Sequence, residues 1–425
     1  MQYEKKSSNM KKSMMWAAIA LMMAMTACTG NEDMNSDKPL PNEDNELKDI
    51  SLTRAEQNLV SGNNDFAFNL FRKVTDKPKS MILSPISITY ALGMLNNGAT
   101  GETQAEINSV LGFGDTGADG INDFCRKMLT EAPNLDKLTK VMIANTIYMN
   151  KGYELKKDFI SKAKTYYDAE PETRDFADGK TRSVINKWGS DHTEKMIEEV
   201  LSEDEFDPTA VSYLLNAIYF KGAWAEKFDK ANTKDETFKG YQAEKKVPIM
   251  HQEHEFNYME TDNCQALCLP YGNNAYRMTI LLPKEGKTIN DVAQTLTAET
   301  WQRFQWMDNA LVDVKLPRFE SQSDLGLVEI MSALGMPRAF TSLAEFPNFC
   351  NVPTYIDLMK QVARIKLNEE GTEAAAITVI GMVKNSSVGP SEPKRVSFHA
   401  TRPFLYVISE QSTGTIFFIG QYMGD

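Results

Sequence analysis

The chain has 425 residues, 42% of them hydrophobic and 24% charged, which is ordinary globular composition with enough length for one large domain or two smaller ones. The formal net charge is -12 and no basic cluster stands out, which argues against a nucleic-acid partner, because phosphate binding needs grouped lysines and arginines. Five cysteines, Cys28, Cys125, Cys264, Cys268 and Cys350, are too sparse for the disulfide framework of a small secreted domain. Cys264 and Cys268 could pair, but a free pair on a strand is the simpler reading.

In chain order, Lys5, Lys6, Lys11 and Lys12 precede an apolar run, MMWAAIALMMAMTAC, from Met14 to Cys28. The run is too short for a secure spanning helix and reads as a secretory signal over 1–27. Met25-Thr26-Ala27 before Cys28 resembles a bacterial lipoprotein signal, where a small residue precedes a cysteine that becomes lipidated; Met25 stands where Leu is usual. The resemblance implies a chain held to a lipid membrane through Cys28, in the cell envelope and outside the cytoplasm. The outer membrane is the expected place, and which membrane face is used stays open. A cleaved, unlipidated signal is the alternative. Thr29 to Ile50 carries seven acidic and two basic residues and almost no large apolar side chain, so 28–50 reads as a flexible tether. An acidic tract directly after the cysteine also resembles surface-export signals of some Gram-negative bacteria.

The domain is expected over 51–425. Leu59, Phe66, Leu70, Phe71 and Val74 give a buried stripe to a helix over 55–73. The segment MILSP leads to Pro85, and helical spacing resumes from Ile86 to Leu95, broken at Gly98 and Gly101. Thr103, Ile107 and Leu111 predict a short helix ending near Gly112, and 112–120 reads as a loop. VMIANTIYM, 141–149, reads as a strand. Val184 to Leu201 predicts a helix broken near Thr193. VSYLLNAIYF, 211–220, is a strand with Lys221-Gly222 as its turn. Later strands are expected at 264–269, 276–282, 311–319, 360–367, 396–399, 403–409 and 415–420. Apolar strands far apart in sequence, with helices gathered early, predict an α+β domain with large sheets and no internal boundary.

Direct chemistry is absent from the motifs. There is no phosphate-binding loop, dinucleotide fingerprint, HExxH or G-x-S-x-G. The four histidines are His192, His251, His254 and His399. His251 and His254 lie in VPIMHQEHEFNYM, which reads as extended or turn, and no third ligand accompanies them, so no metal and no cofactor is expected. His399 reads as a structural polar group. No carboxylate spacing singles out an acid/base pair, so an enzyme is not expected.

The unusual segment is RIKLNEEGTEAAAITVIGMVKNSSVGPSEPKRVSFHATRPFLYVI, 364–408. Thr372–Val383 has small and β-branched side chains, and no proline occurs from 371 to 389. Taken alone this is an ordinary strand followed by a loop. FHATRPFLYVI (398–408), NEEGTEAAAITV (368–379), LSPISITYALGMLNNGATGETQAEI (83–107), LLNAIYFKGAW (214–224) and MTILLPKEG (278–286) together resemble the serpin family, over nearly all of 55–423. The resemblance implies a serpin fold of three β-sheets with eight to nine helices and an exposed reactive-centre loop, about 369–397. It implies a monomeric suicide inhibitor of serine endopeptidases, extending to cysteine proteases. The target would be acylated on the loop, which then inserts as a strand in the main sheet. Thr372, Ala374, Ala376, Thr378, Ile380 and Met382 would face the interior after insertion, and none is charged. Thr372 to Lys384 would extend about 43 Å at roughly 3.3 Å per residue.

Residue by residue, Glu369, Gly371, Thr372, Ala374, Ala375 and Ala376 match the family's hinge. Gly371 tolerates the sharp backbone change there. Ser84 and Ser87 match the cluster beneath the point where the central strands part, and Asn216 matches its hydrogen-bonding partner. Gln361 stands where the family usually has histidine, and cannot become charged. Trp224 matches the aromatic residue where the loop first enters the sheet. Glu194 replaces a usual glycine, and Thr401 a usual Asp or Asn. The family's hinge-to-cleavage spacing puts the bond at Asn385–Ser386, and one residue less gives Lys384. Lys384 is favoured for a trypsin-like target, with Val383, for an elastase-like one, or Asn385 next. The long stretch 386–402 leaves room for a shift of register. The alternative is a non-inhibitory member acting as a surface binding or scaffold protein, against which the small residues from Gly371 to Ala376 argue.

Overall fold

Residues 45–75, 78–372 and 393–425 are described by a computed structural model, all within the compact unit Asn42–Asp425. Nine α-helices occur among them: α1 Arg54–Val74, α2 Pro85–Asn96, α3 Gly101–Leu111, α4 Ala118–Glu131, α5 Lys157–Tyr167, α6 Thr181–His192, α7 Ile289–Ala293, α8 Ala298–Arg303 and α9 Val328–Leu334. The strands are β1 Met81–Leu83, β2 Thr139–Asn150, β3 Glu172–Arg174, β4 Ser212–Ala223, β5 Lys234–Lys239, β6 Glu244–Glu260, β7 Cys264–Tyr271, β8 Tyr276–Pro283, β9 Asp308–Pro317, β10 Phe319–Gly326, β11 Leu358–Asn368, β12 Gly371–Thr372, β13 Arg395–His399, β14 Phe404–Glu410 and β15 Ile416–Tyr422.

Local rules account for the helix ends. Thr53 and Glu56 form a reciprocal capping box at the start of α1. Ser84 caps α2, and Pro85 takes the first helical position, where a missing N–H costs nothing. Every residue of α2 is buried, so this helix is a core element rather than an amphipathic surface one.

The main sheet runs β10-β11-β12-β4-β2-β3. Alternation along β4 sends Leu214, Ile218 and Phe220 into the large core, while Tyr213 and Leu215 join Ile185, Ile197, Val200 and Leu201 in a smaller core beside α6. The main sheet is therefore buried on both faces, which explains the near-continuous apolar run of β4. The other strands form a nine-stranded array, β1-β15-β14-β8-β7-β6-β9-β13 with β5 on β6. It holds two of the expected sheets, whose strands pair, among the described residues, through the four register pairs between Asn257–Glu260 and Gln265–Cys268.

The structure changes several sequence-based boundaries. Lys221 and Gly222 are not a turn: β4 continues to Ala223 because Thr139 and Lys140 of β2 pair alongside. The strand expected over 311–319 is two strands, β9 and β10, separated at Arg318. The expected loop 112–120 ends at Gly117, where α4 begins. Residues 45–50, expected in the tether, lie on the domain: Asn45 bonds Asp136 and Lys137, and Ile50 is buried with its N–H on Ser412 Oγ. Isoleucine at that point gains more from burial than the acidic composition of its neighbours opposes. Cys264 and Cys268 are free and buried on β7. The signal 1–27, Cys28, Ala374, Ala375, Ala376, Val383, Lys384, Asn385 and Ser386 lie outside the described residues.

Candidate functional site

The site is the seam between β4 and β11. These strands pair in parallel over only six positions, Tyr213–Ile218 with Leu358–Ala363. Above that, Tyr219–Lys221 of β4 pair with β2, and Arg364–Lys366 of β11 pair with β10, but not with each other. At the top the chain turns back after Asn368 and wedges β12 between them: Gly371 and Thr372 pair with Ala223 and Gly222 on one side and with Asn368 and Leu367 on the other. The main sheet is thus closed below, open in the middle and plugged by two residues at its upper end.

Gly371 has φ +143, and a Cβ there would lie 2.0 Å from the Gly222 carbonyl oxygen and 2.8 Å from Ala223 Cα. Both the backbone angle and the approach require glycine. Thr372 is fully buried, its hydroxyl 2.6 Å from Tyr271 Oη. The Tyr271 ring stacks on Trp224 at 4.5 Å, and Trp224 Nε1 donates to the Asn368 carbonyl at 2.9 Å. The Trp224 N–H donates to the Glu370 carbonyl at 2.9 Å. Trp224 therefore holds the turn that carries the hinge, besides filling the core.

Glu369 is only 1% exposed, so its pairing is not the weak surface contact expected of an exposed acid. Its carboxylate accepts from Arg318 and, at 2.7 Å, from Thr233. Burial pushes its pKa up, but these hydrogen bonds outweigh burial and hold it below the usual carboxylate value. Glu370 next to it is bridged by Lys227 and Lys230, each at 3.0 Å.

Below the plug lies a buried polar cluster. Gln361 Oε1 accepts from the Ser84 N–H at 2.9 Å, and its Nε2 donates to the Ser84 carbonyl at 3.0 Å and to Asn216 Oδ1 at 2.7 Å. Asn216 Nδ2 donates to the Ser87 carbonyl and hydroxyl and to Asn145 Oδ1. One network thus ties β11, β4 and β2 to the start of α2, at the lower edge of the open region. Asn145 was missed from sequence, although a lone amide inside the apolar strand VMIANTIYM was a readable signal.

The departures from the family pattern also have a place. Glu194 stands at φ +48, in the left-handed region that favours glycine. Its carboxylate pairs with Lys140 and accepts from Tyr219 Oη at 3.1 Å, tying the segment after α6 to the main sheet. The Thr401 carbonyl accepts from the Lys239 N–H. His251 and His399 meet on one carboxylate, Asp313, at 2.7 and 3.0 Å, which joins β6, β9 and β13. His254 lies apart on Glu226, and no group of metal-ligating residues occurs among the described residues.

A model of the serpin (serine protease inhibitor) family matches residues 61–424. Serpin B6 of Macaca fascicularis is 34% identical over 376 residues, spanning 86% of this chain and 98% of its own. Human neuroserpin is 28% identical, over 84% of this chain and 90% of its own. Among solved structures, the thermophilic serpin tengpin in its native state superposes with a TM-score of 0.79 at 28% identity, covering 89% of this chain and 97% of its own. Human thyroxine-binding globulin, solved in complex with thyroxine, superposes at 0.77 with 26% identity, over 86% and 98% of the two chains. With the family pattern spanning nearly the whole domain, and the α+β architecture of sheets and nine helices matching these neighbours, the chain belongs to the serpin family, whose members are in general protease inhibitors.

Proposed function

We propose that this serpin is a suicide inhibitor of serine endopeptidases, trapping an acyl-enzyme and then inserting its cleaved loop between β4 and β11. The observation that carries the reading is the plugged, half-open seam. A strand added there would run antiparallel to both neighbours, as β12 already does. β4 has 12 residues, about 40 Å at roughly 3.3 Å each, close to the reach of Thr372–Lys384. Insertion would satisfy the ladder groups that β4 and β11 leave without a strand partner in the open stretch, so the energy lies downhill and cleavage supplies the freedom to reach it. The protease serine attacks the scissile carbonyl, the new chain end leaves as an amine, and the ester holds the protease to the moving loop. Gly371 and Thr372 have already taken their places, so insertion propagates from an existing nucleus.

Lys384 is the favoured acylated residue, with Val383 and Asn385 next, which suits trypsin-like or elastase-like targets and extends to cysteine proteases. Cys28 is proposed as the lipid attachment site that would hold the inhibitor at the cell envelope. No helix among the described residues is long and apolar enough to cross a membrane.

The test is to mix the domain 45–425 with trypsin and with an elastase, then run denaturing gels and intact-mass analysis. A stable band of protease plus inhibitor fragment, with the acylated residue read from the released C-terminal peptide, is expected. Cleavage with active protease released from both would favour the non-inhibitory binding or scaffold role instead. Mass analysis of the envelope-extracted chain checks for acyl groups on Cys28.

A further inference from the structure

Arg277 on β8 is 1% exposed, and neither its Nε nor its Nη2 has a hydrogen-bond partner. No carboxylate among the described residues forms an ion pair with it. Glu410, buried at the end of β14, already accepts from the N–H and hydroxyl groups of Ser412 and Thr413. A buried guanidinium without a counter-charge is costly enough that something should compensate it.

The surroundings say what kind of group. Tyr276 packs its ring on Phe220 of β4, so strand alternation sends Arg277 and Thr279 to the opposite face of β8. On that face the register sets Ser409 of β14 beside Arg277 and Cys268 of β7 beside Thr279. Thr279 Oγ1 and Ser409 Oγ are also buried and unpartnered. The Arg277 guanidinium lies close enough to Cys268 to hold back the rise that burial imposes on the thiol pKa. One positive charge and two unpartnered hydroxyls thus share one face of neighbouring strands, and no carboxylate among the described residues pairs with that charge.

We propose that this face of β7, β8 and β14 is an internal anion site, occupied by a small monovalent anion of the halide class. Arg277 supplies the charge and two N–H donors, and the Thr279 and Ser409 hydroxyls rotate to donate to the same ion. A halide asks only for donors, which is what the face offers. Because these atoms have no contact with solvent, the ion leaves only when the strands open, and its binding opposes unfolding. The inference is independent of the inhibitory reading, since it concerns the array behind the main sheet.

The experiment has two arms. Crystals of the domain 45–425 grown in sodium bromide should show an anomalous peak within hydrogen-bond reach of Arg277 Nε or Nη2. In parallel, urea-driven unfolding of the wild type and Arg277→Met is timed in chloride and in gluconate at equal ionic strength. The wild-type rate should fall with chloride and saturate, about elevenfold slower at ten times the dissociation constant, with no such response in the variant. Water alone at Arg277 in the bromide crystals overturns the proposal, as does an equal chloride response in both proteins. If the variant fails to fold, the bromide map of the wild type decides.

Discussion

Replacing Gly371 by alanine should expel the plug from the main sheet. A Cβ at this position would sit 2.0 Å from the Gly222 carbonyl oxygen, and the flanking backbone belongs to β4, which β2 holds along its length. The residue would also be strained at φ +143. Strain of this kind costs about 2 kcal/mol before the clash is counted, which shifts the seated-to-expelled ratio about thirtyfold. Expulsion would break the β12 pairing and separate Thr372 from Tyr271, with which Trp224 stacks. Trp224 fluorescence should therefore change. Without its nucleus, insertion should start later relative to hydrolysis of the acyl-enzyme, so more inhibitor is consumed per protease trapped. The assay is a titration of residual protease activity against the molar ratio of Gly371→Ala to enzyme, with fluorescence recorded on the free protein. An unchanged stoichiometry together with an unchanged Trp224 signal would refute the argument that the seated hinge primes insertion.

Gln361→Met removes three hydrogen bonds and strands the Ser84 and Asn216 polar groups inside the sheet. At about 1–3 kcal/mol per stranded group, a net loss near 3 kcal/mol is expected, seen as unfolding in urea about a hundredfold faster. Gln361→His should restore much of the stability near neutral pH and introduce a response to acid near pH ~6.5 that the wild type lacks. The Glu369 carboxyl has a lowered folded-state pKa, so its contribution is full above the unfolded value of about 4.3 and disappears as pH falls through the folded one. Arg318 is half-exposed, which limits that contribution to about 1 kcal/mol. Glu369→Gln should accordingly flatten the acid limb of a stability-versus-pH curve and leave it sloped elsewhere as in the wild type. Asp313 follows the same sign: burial raises its pKa, hydrogen bonds from His399 and His251 outweigh that rise, and the net shift is down. Asp313→Asn should loosen β13, with its amides exchanging about fivefold faster at pH 7, a cost near 1 kcal/mol; unchanged exchange would show that the backbone ladder alone holds the strand.

Local pattern was enough to place α1, α2, α3 and most of the long strands, because apolar spacing and caps act within a few residues. The expectation of a hinge over 369–376 came instead from the family resemblance, with the uncharged alternate positions Thr372, Ala374 and Ala376 in keeping with it. What local pattern mistook was decided by neighbours. Lys221-Gly222 has the composition of a turn, yet it stays in β4 because β2 extends beside it. Ile50 sits in an acidic stretch, yet it is buried because Ser412 and the core meet it from the far end of the chain.

The chemistry of the site divides the same way. Glycine at 371 and the uncharged alternate positions that follow it are properties of single residues, readable from their side chains alone. That β11 and β4 touch for six pairs and then part, that two residues already occupy the gap, and that Glu369 is buried in the turn leading into it are not. Nor is the orphaned charge of Arg277, which in sequence is one polar residue in a strand. These depend on groups 100 or more residues apart reaching one place, as with Tyr271 and Thr372. Hydrogen bonding and burial act through space, so only the folded sheet determines which polar groups are satisfied and which seam is left open.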